Sequence, residues 1–518
     1  MKAKLIQATW MIVMVGLGVG LHAGYQDYGG RDLLESFQLE AARKKTSERS
    51  ILPASLPRPE LPVEKVVPPR TNATTIEGLS LYPKVVVGGR TPLDLWAYYG
   101  RGASSFSSPT LPMRFEEWLD FHRAQQPGLM KDVREHMASR YDFTPAILPK
   151  AFMSGGKPIM AGPAARLPKD LASWEELADL TPAEIRERDV FPFKPLAHPL
   201  QSTAHMVFPD SWIAIHPEHT RIDVGFDIPE PFLPEFPPPM YLTTHKEMGD
   251  VTNGQELTFE NYYQIFDGLL TPEQMEGLKE LLQPSPSLWF NQTDHRLTEE
   301  PSSGIACFDC HVNGHTNGAF DLAPDSRPNM ARLRVDTPSL RGNYNLMQFS
   351  TKRSIRSLNH FAGVGEFFGG DPGMQQAIGS RGASRSALNG ISEFNAILDY
   401  PPAPKLTPLG LLDPDLASKS ELRGEQIFYG EGRCVQCHYG PAFVDDYMHD
   451  LQVERFYVGR PEGPIKTSPL RGIKDTPPYL HDGRLMTLDD AVEFFNLILQ
   501  LQLSRQDKQD LRAYLLTL

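Results

Sequence analysis

Cys307-Phe-Asp-Cys310-His311 and Cys434-Val-Gln-Cys437-His438 are the stretches on which the fold turns. On a helical turn the cysteines at i and i+3 and the histidine at i+4 face one way. Two thiols can then form thioethers with the vinyl groups of a haem while the imidazole binds its iron. This is the pattern of c-type haem attachment, written twice, and it uses all 4 cysteines of the chain. The competing reading is a zinc site made of two Cys-x-x-Cys pairs. Such pairs usually lie roughly 15 to 20 residues apart, whereas 123 residues separate Cys310 from Cys434. A thioredoxin-like pair would need neither the following histidine nor a second copy.

Working outward, the same order of motifs recurs. Cys307 and Cys434 are offset by 127, as are Glu366-Phe-Phe368 and Glu493-Phe-Phe495, while Thr337-Pro-Ser-Leu-Arg-Gly342 and Thr467-Ser-Pro-Leu-Arg-Gly472 are offset by 130. A duplication of this kind predicts two tandem cytochrome c-type haem domains, mainly α with long loops, at 285–404 and 405–518. Ahead of them, 24–284 reads as a mixed, irregular, proline-rich region with some helices. Proline makes up 47 of the 518 residues, well above the usual ~5%, and runs such as Pro229-Glu-Pro-Phe-Leu-Pro-Glu-Phe-Pro-Pro-Pro239 exclude helix interiors. Helical spacing is expected at Arg114 to Gln125, Met130 to Tyr141, Ser173 to Arg188, and after the Thr271-Pro-Glu-Gln start. A net charge of −13 gives no basic field for nucleic acid. Met1-Lys-Ala-Lys, the uncharged Leu5 to Leu21 and Leu21-His-Ala23 before Gly24 read as a secretory signal over 1–23, with an uncleaved membrane anchor as the alternative. The body is then expected in the periplasm or outside the cell.

From about residue 286 onward the chain resembles the di-haem cytochrome c peroxidase and MauG family. Leu288-Trp-Phe-Asn, Arg296-Leu-Thr, Ser302-Ser-Gly-Ile-Ala-Cys and Glu421-Leu-Arg-Gly-Glu-Gln-Ile-Phe carry the likeness ahead of the two haem motifs. Gly440-Pro-Ala-Phe-Val-Asp, Ser468-Pro-Leu-Arg-Gly, Pro478-Tyr-Leu-His-Asp-Gly-Arg484, Thr487-Leu-Asp-Asp-Ala-Val and the final Leu503 to Leu515 helix carry it after the second. The resemblance implies two covalent haems exchanging electrons, one of which reacts with hydrogen peroxide or oxygen. It also implies a calcium between the haem domains, and as partners a small redox protein and an organic or protein substrate. The chain departs from the pattern at two places. The family's relay-haem ligand falls fourteen residues after the motif histidine, which here is Phe495, and the inter-haem tryptophan position is occupied by Ser350 in Phe349-Ser-Thr-Lys-Arg353.

Distal ligands are therefore sought elsewhere. Met486 lies 48 residues beyond His438 and His360 lies 49 beyond His311. Methionine would raise a haem potential and a second histidine would lower it. The alternatives are core or surface roles, or a five-coordinate iron, with His315, Met347, Met448 and His449 as competitors. His481 is expected to hold its motif loop. Arg341 and Arg471 are candidate partners of haem propionates, and Glu366 is the candidate proton-transfer acid beside a reactive His311 haem. Two functions follow: an oxidoreductase of the di-haem peroxidase kind, or an electron carrier with both irons six-coordinate.

Overall fold

The computed structural model describes residues 131, 134–193, 228–283, 306–316, 318, 320–322, 334–353, 355–359, 385–459 and 462–518. The secretory-signal region, the helix expected at Arg114 to Gln125, His360 and Glu366 lie outside them. The described residues are rich in helix, and their strands form four two-stranded antiparallel pairs.

Near the start, β1 (Ile147–Phe152) pairs with β2 (Pro158–Met160). The helical spacing over Ser173 to Arg188 is realised as two short helices, α1 (Trp174–Asp179) and α2 (Pro182–Arg188). Leu180 is extended, and Thr181 starts a new helix with Pro182 at its first position, where the missing N–H costs nothing.

Two helix pairs organise the rest. The first joins α3 (Pro272–Leu282) to α5 (Arg385–Asn395), with α4 (Cys307–Cys310) between them in sequence. The second joins α6 (Lys419–Tyr429) to α8 (Arg505–Leu515), with α7 (Leu488–Ile498) preceding α8. Reciprocal capping boxes start α3 (Thr271 with Gln274), α6 (Ser418 with Glu421), α7 (Thr487 with Asp490) and α8 (Ser504 with Asp507). Each satisfies backbone donors that the first turn leaves unpaired. Glycine lets each pair cross at backbone contact. A Cβ on Gly277 would sit 1.9 Å from the Gly390 carbonyl oxygen, and one on Gly424 would sit 1.9 Å from that of Asp510.

The duplication is visible in the backbone. Gly342 and Gly472 are both left-handed (φ 75° and 71°), each followed by a short 3-10 turn, Asn343–Asn345 and Ile473–Asp475. Their amides bond to the residues just beyond each pair's second helix, Gly342 to the Leu398 carbonyl at 2.9 Å and Gly472 to that of Leu518 at 3.0 Å. Further on, Phe349 bridges Ile355 and Tyr479 bridges Leu485, around Ser350 and Leu480 at φ 71° and 70°. The contact between halves is reciprocal. Asp336 N–H donates to the His481 carbonyl (2.9 Å), and Lys466 N–H, 130 residues on from Asp336, donates to Thr351, 130 residues before His481 (2.8 Å). An exchange of this kind is what a two-fold relation between repeats produces.

The described residues of 24–284 divide between two hydrophobic cores. Met240, Leu242, Phe266 and Leu278 pack with Phe308, Phe394 and Leu398 of the first half. Met137, Tyr141, Leu177, Phe191 and Phe232 pack into the larger core with Phe428, Phe494 and Tyr514 of the second. Apolar positions scattered between prolines carry no periodicity that would reveal a destination so far along the chain.

Candidate haem-binding sites

Both Cys-x-x-Cys-His stretches fold into a single tight turn. His311 N–H donates to the Cys307 carbonyl and His438 N–H to that of Cys434, each at 2.9 Å, which sets every histidine one turn beyond its first cysteine. The first turn is α-helical. The second is a 3-10 turn, Cys434–Gln436, entered through left-handed Arg433.

Each imidazole is held from behind by a backbone carbonyl. Nδ1 of His311 lies 2.8 Å from the Pro338 oxygen, and Nδ1 of His438 lies 2.9 Å from that of Phe443. The backbone of Ser468, 130 residues on from Pro338, bonds to the His438 ring as well. A carbonyl at Nδ1 fixes the proton there and leaves the Nε2 lone pair for a metal. Burial pushes His311 down to about 4 and lowers His438 too, so both are neutral at pH 7, the form that coordinates iron. Burial also pushes the Cys434 thiol up to about 12, which disfavours a free thiolate role. Two cysteines and one oriented imidazole per motif match the donor set of haem c.

Other candidates are placed less directly. The Met486 side chain is buried in the larger core, and its N–H donates to an Asp490 carboxylate oxygen at 3.1 Å. The matching bridges Phe349 to Ile355 and Tyr479 to Leu485 set Arg356, not His360, opposite Met486. The offset between the repeats grows from 127 at the haem motifs to 130 at the Leu-Arg-Gly turns. Both ring nitrogens of His315 are engaged, with Ser339 Oγ at 2.8 Å and the Asp475 carbonyl at 3.0 Å, which removes it as an iron ligand. Met347 is 67% exposed. Phe495 is half-buried against Phe494. His481 sits 3.7 Å from Glu462, a carboxylate that also binds Arg484 and Tyr457.

Both arginines reach protein acceptors, while Arg341 Nε finds no partner among the described residues. Arg341 pairs with Asp475 (3.0 Å) across the two halves and donates to the Pro239 carbonyl. Arg471 donates to the carbonyls of Leu518 and Pro401, both at 2.9 Å, and lies over the Tyr400 ring. Sequence reading missed Asp475 altogether; no motif marks it, and its partners come from three distant segments. Cys437, Asp445 and His449 form the described cluster with metal-like spacing, with Asp445 2.7 Å from His449 Nε2. Cys437 is also the second cysteine of the Cys-x-x-Cys-His stretch, so the trio lies beside that turn.

Two Cys-x-x-Cys-His turns, each with an oriented imidazole, match the attachment pattern of haem c. No protein-family model matches the chain, but its relatives agree. It is 35% identical over 112 residues to the cytochrome c551 peroxidase of Nitrosomonas europaea, covering 19% of this chain and 32% of that one. It is 24% identical over 221 residues to the methylamine utilization protein MauG of Methylorubrum extorquens, covering 38% and 60%. A solved MauG-like protein associated with microbial copper homeostasis matches at 17% identity with a TM-score of 0.34, over 48% of this chain and 90% of that one. By its curated relatives the chain is similar to di-haem cytochrome c peroxidases and MauG, and its matches span about a third to three fifths of those relatives' length.

Proposed function

We propose that this chain is an exported di-haem c-type cytochrome acting as a peroxidase-like oxidoreductase. Haem iron with an open position supplies reductive cleavage of the O–O bond of hydrogen peroxide, or activation of oxygen. The observation that carries the reading is the pair of Cys-x-x-Cys-His turns, each placing a histidine whose Nδ1 is capped by a backbone carbonyl one turn beyond its first cysteine.

In this reading Cys307 and Cys310 bind the first haem, with His311 as its iron ligand, and Cys434, Cys437 and His438 serve the second. The His311 site reacts and the His438 site relays electrons, with Met486 available to close the second iron and Glu366 to deliver protons. Arg341 and Arg471 fasten the segments carrying the histidines' backbone partners, and that stiffness limits movement of both imidazoles. Calcium between the halves belongs to the same proposal, as do a small redox protein as electron donor and an organic or protein substrate. Export rests on residues 1–23; no helix among the described residues is long and apolar enough to cross a membrane.

The test is peroxide consumption by the haem-loaded protein with a reduced small c-type cytochrome as donor. Donor oxidation that requires both protein and peroxide supports the enzyme. Rapid donor oxidation and re-reduction with no peroxide consumption would leave an electron carrier.

A further inference from the structure

The inter-haem tryptophan position is Ser350, yet two tyrosines lie where the repeats meet. Tyr400 is buried, and its ring packs against Gly342, four residues beyond the Pro338 carbonyl that holds His311. Across the ring lies Arg471, 5.5 Å from the centroid and three residues beyond Ser468, whose backbone bonds to His438. Tyr400 therefore touches the supporting segment of both histidines. Tyr344, 42% exposed, stands edge-on to it with ring centroids 6.3 Å apart. The Tyr344 hydroxyl donates to Asp399 Oδ1 at 2.6 Å, while Lys246 holds the other carboxylate oxygen at 3.1 Å.

We propose that Tyr344 and Tyr400 form a redox relay through which oxidising equivalents reach the protein surface, with Asp399 accepting the Tyr344 proton and an aromatic one-electron donor, a phenol or indole, reacting at Tyr344. The proposal rests on the peroxidase reading. Burial and the Asp399 bond hold the Tyr344 phenol well above its usual pKa, so it loses an electron only together with its proton. The Tyr400 hydroxyl faces the Asn345 amide and no carboxylate accepts from it among the described residues, so a radical formed there passes outward to Tyr344, where Asp399 takes the proton.

The balance is simple. Reducing one hydrogen peroxide to two waters takes two electrons and two protons. Tyr344 supplies them singly, each time sending an electron inward through Tyr400 and a proton to Asp399, which releases it to solvent. Each time, the phenoxyl is restored by a hydrogen atom from the donor, so two donor molecules become two radicals per peroxide.

The experiment is freeze-quench electron paramagnetic resonance of the haem-loaded protein after mixing with hydrogen peroxide, with haem absorption followed in parallel. A tyrosyl signal is expected that Tyr344→Phe abolishes and Asp399→Asn forms about a hundredfold more slowly, as a lost proton acceptor would. Flash photo-oxidation by a ruthenium tris-bipyridyl reagent, which bypasses peroxide, should generate the same Tyr344 signal. Haem bands that respond to peroxide with no radical at Tyr344 overturn the relay and leave the peroxidase reading standing. Haem bands indifferent to peroxide overturn both, even if flash oxidation shows Tyr344 to be oxidisable.

Discussion

At the scale of single residues, the four cysteines make the narrowest claim. Cys434→Ala/Cys437→Ala should leave one covalent haem of two, measured by intact mass or a denaturing haem stain; two haems retained would refute the assignment. Met486 separates packing from ligation. Truncating a fully buried methionine costs about 2–5 kcal/mol whatever its role, so instability of Met486→Ala is uninformative. Conversion of a low-spin haem to high-spin in the folded variant is the expected outcome, and an unchanged spectrum would return Met486 to the core. Glu366→Gln is expected to slow peroxide turnover by roughly 10²-fold to 10⁴-fold while haem loading stays normal.

The helix pairs are the elements that make each site possible, and their crossings depend on absent side chains. With the Asp510 carbonyl 1.9 Å from a Cβ on Gly424, alanine there must push α6 from α8. The expected loss is about 1–3 kcal/mol or more, read from denaturant unfolding, together with lower covalent incorporation of the second haem. The same pair carries an acid-sensitive link. Burial alone would raise the Asp510 carboxyl, but bonds from Arg423, Ser420 and Gln506 outweigh it and hold it below the usual carboxylate range. A depressed folded-state pKa stabilises above the unfolded value, near pH 4, and that contribution disappears as pH falls through the folded one. Melting temperature should therefore drop steeply below about pH 4, and Asp510→Asn should flatten the fall.

For the molecule as a whole, Arg341 and Asp475 form a buried pair that ties the halves together, with Ser154 of the N-terminal segment donating to the same carboxylate. Removing one partner strands a buried charge. Asp475→Ala should cost about 3–5 kcal/mol, and Arg341→Met/Asp475→Leu should recover much of it. Equal stability of the single and double variants would contradict this. Much of the plan was legible in the sequence because short-range spacing encodes it: Cys-x-x-Cys-His fixes a turn, Thr271 and Ser504 announce their helices, and the repeated Leu-Arg-Gly segments announce two halves. What stayed hidden is long-range. Asp475, the Tyr344 to Asp399 bond and the hydrogen bond from the Tyr141 hydroxyl to the Arg484 carbonyl join residues 55 to 343 positions apart, and no local pattern records such partners.

A two-haem protein with one reactive iron is tested most directly by the electron paramagnetic resonance spectrum of the oxidised haem-loaded protein. One high-spin ferric signal that hydrogen peroxide removes, beside one low-spin signal, is the result expected. Two low-spin signals that neither peroxide nor prior reduction alters would contradict it.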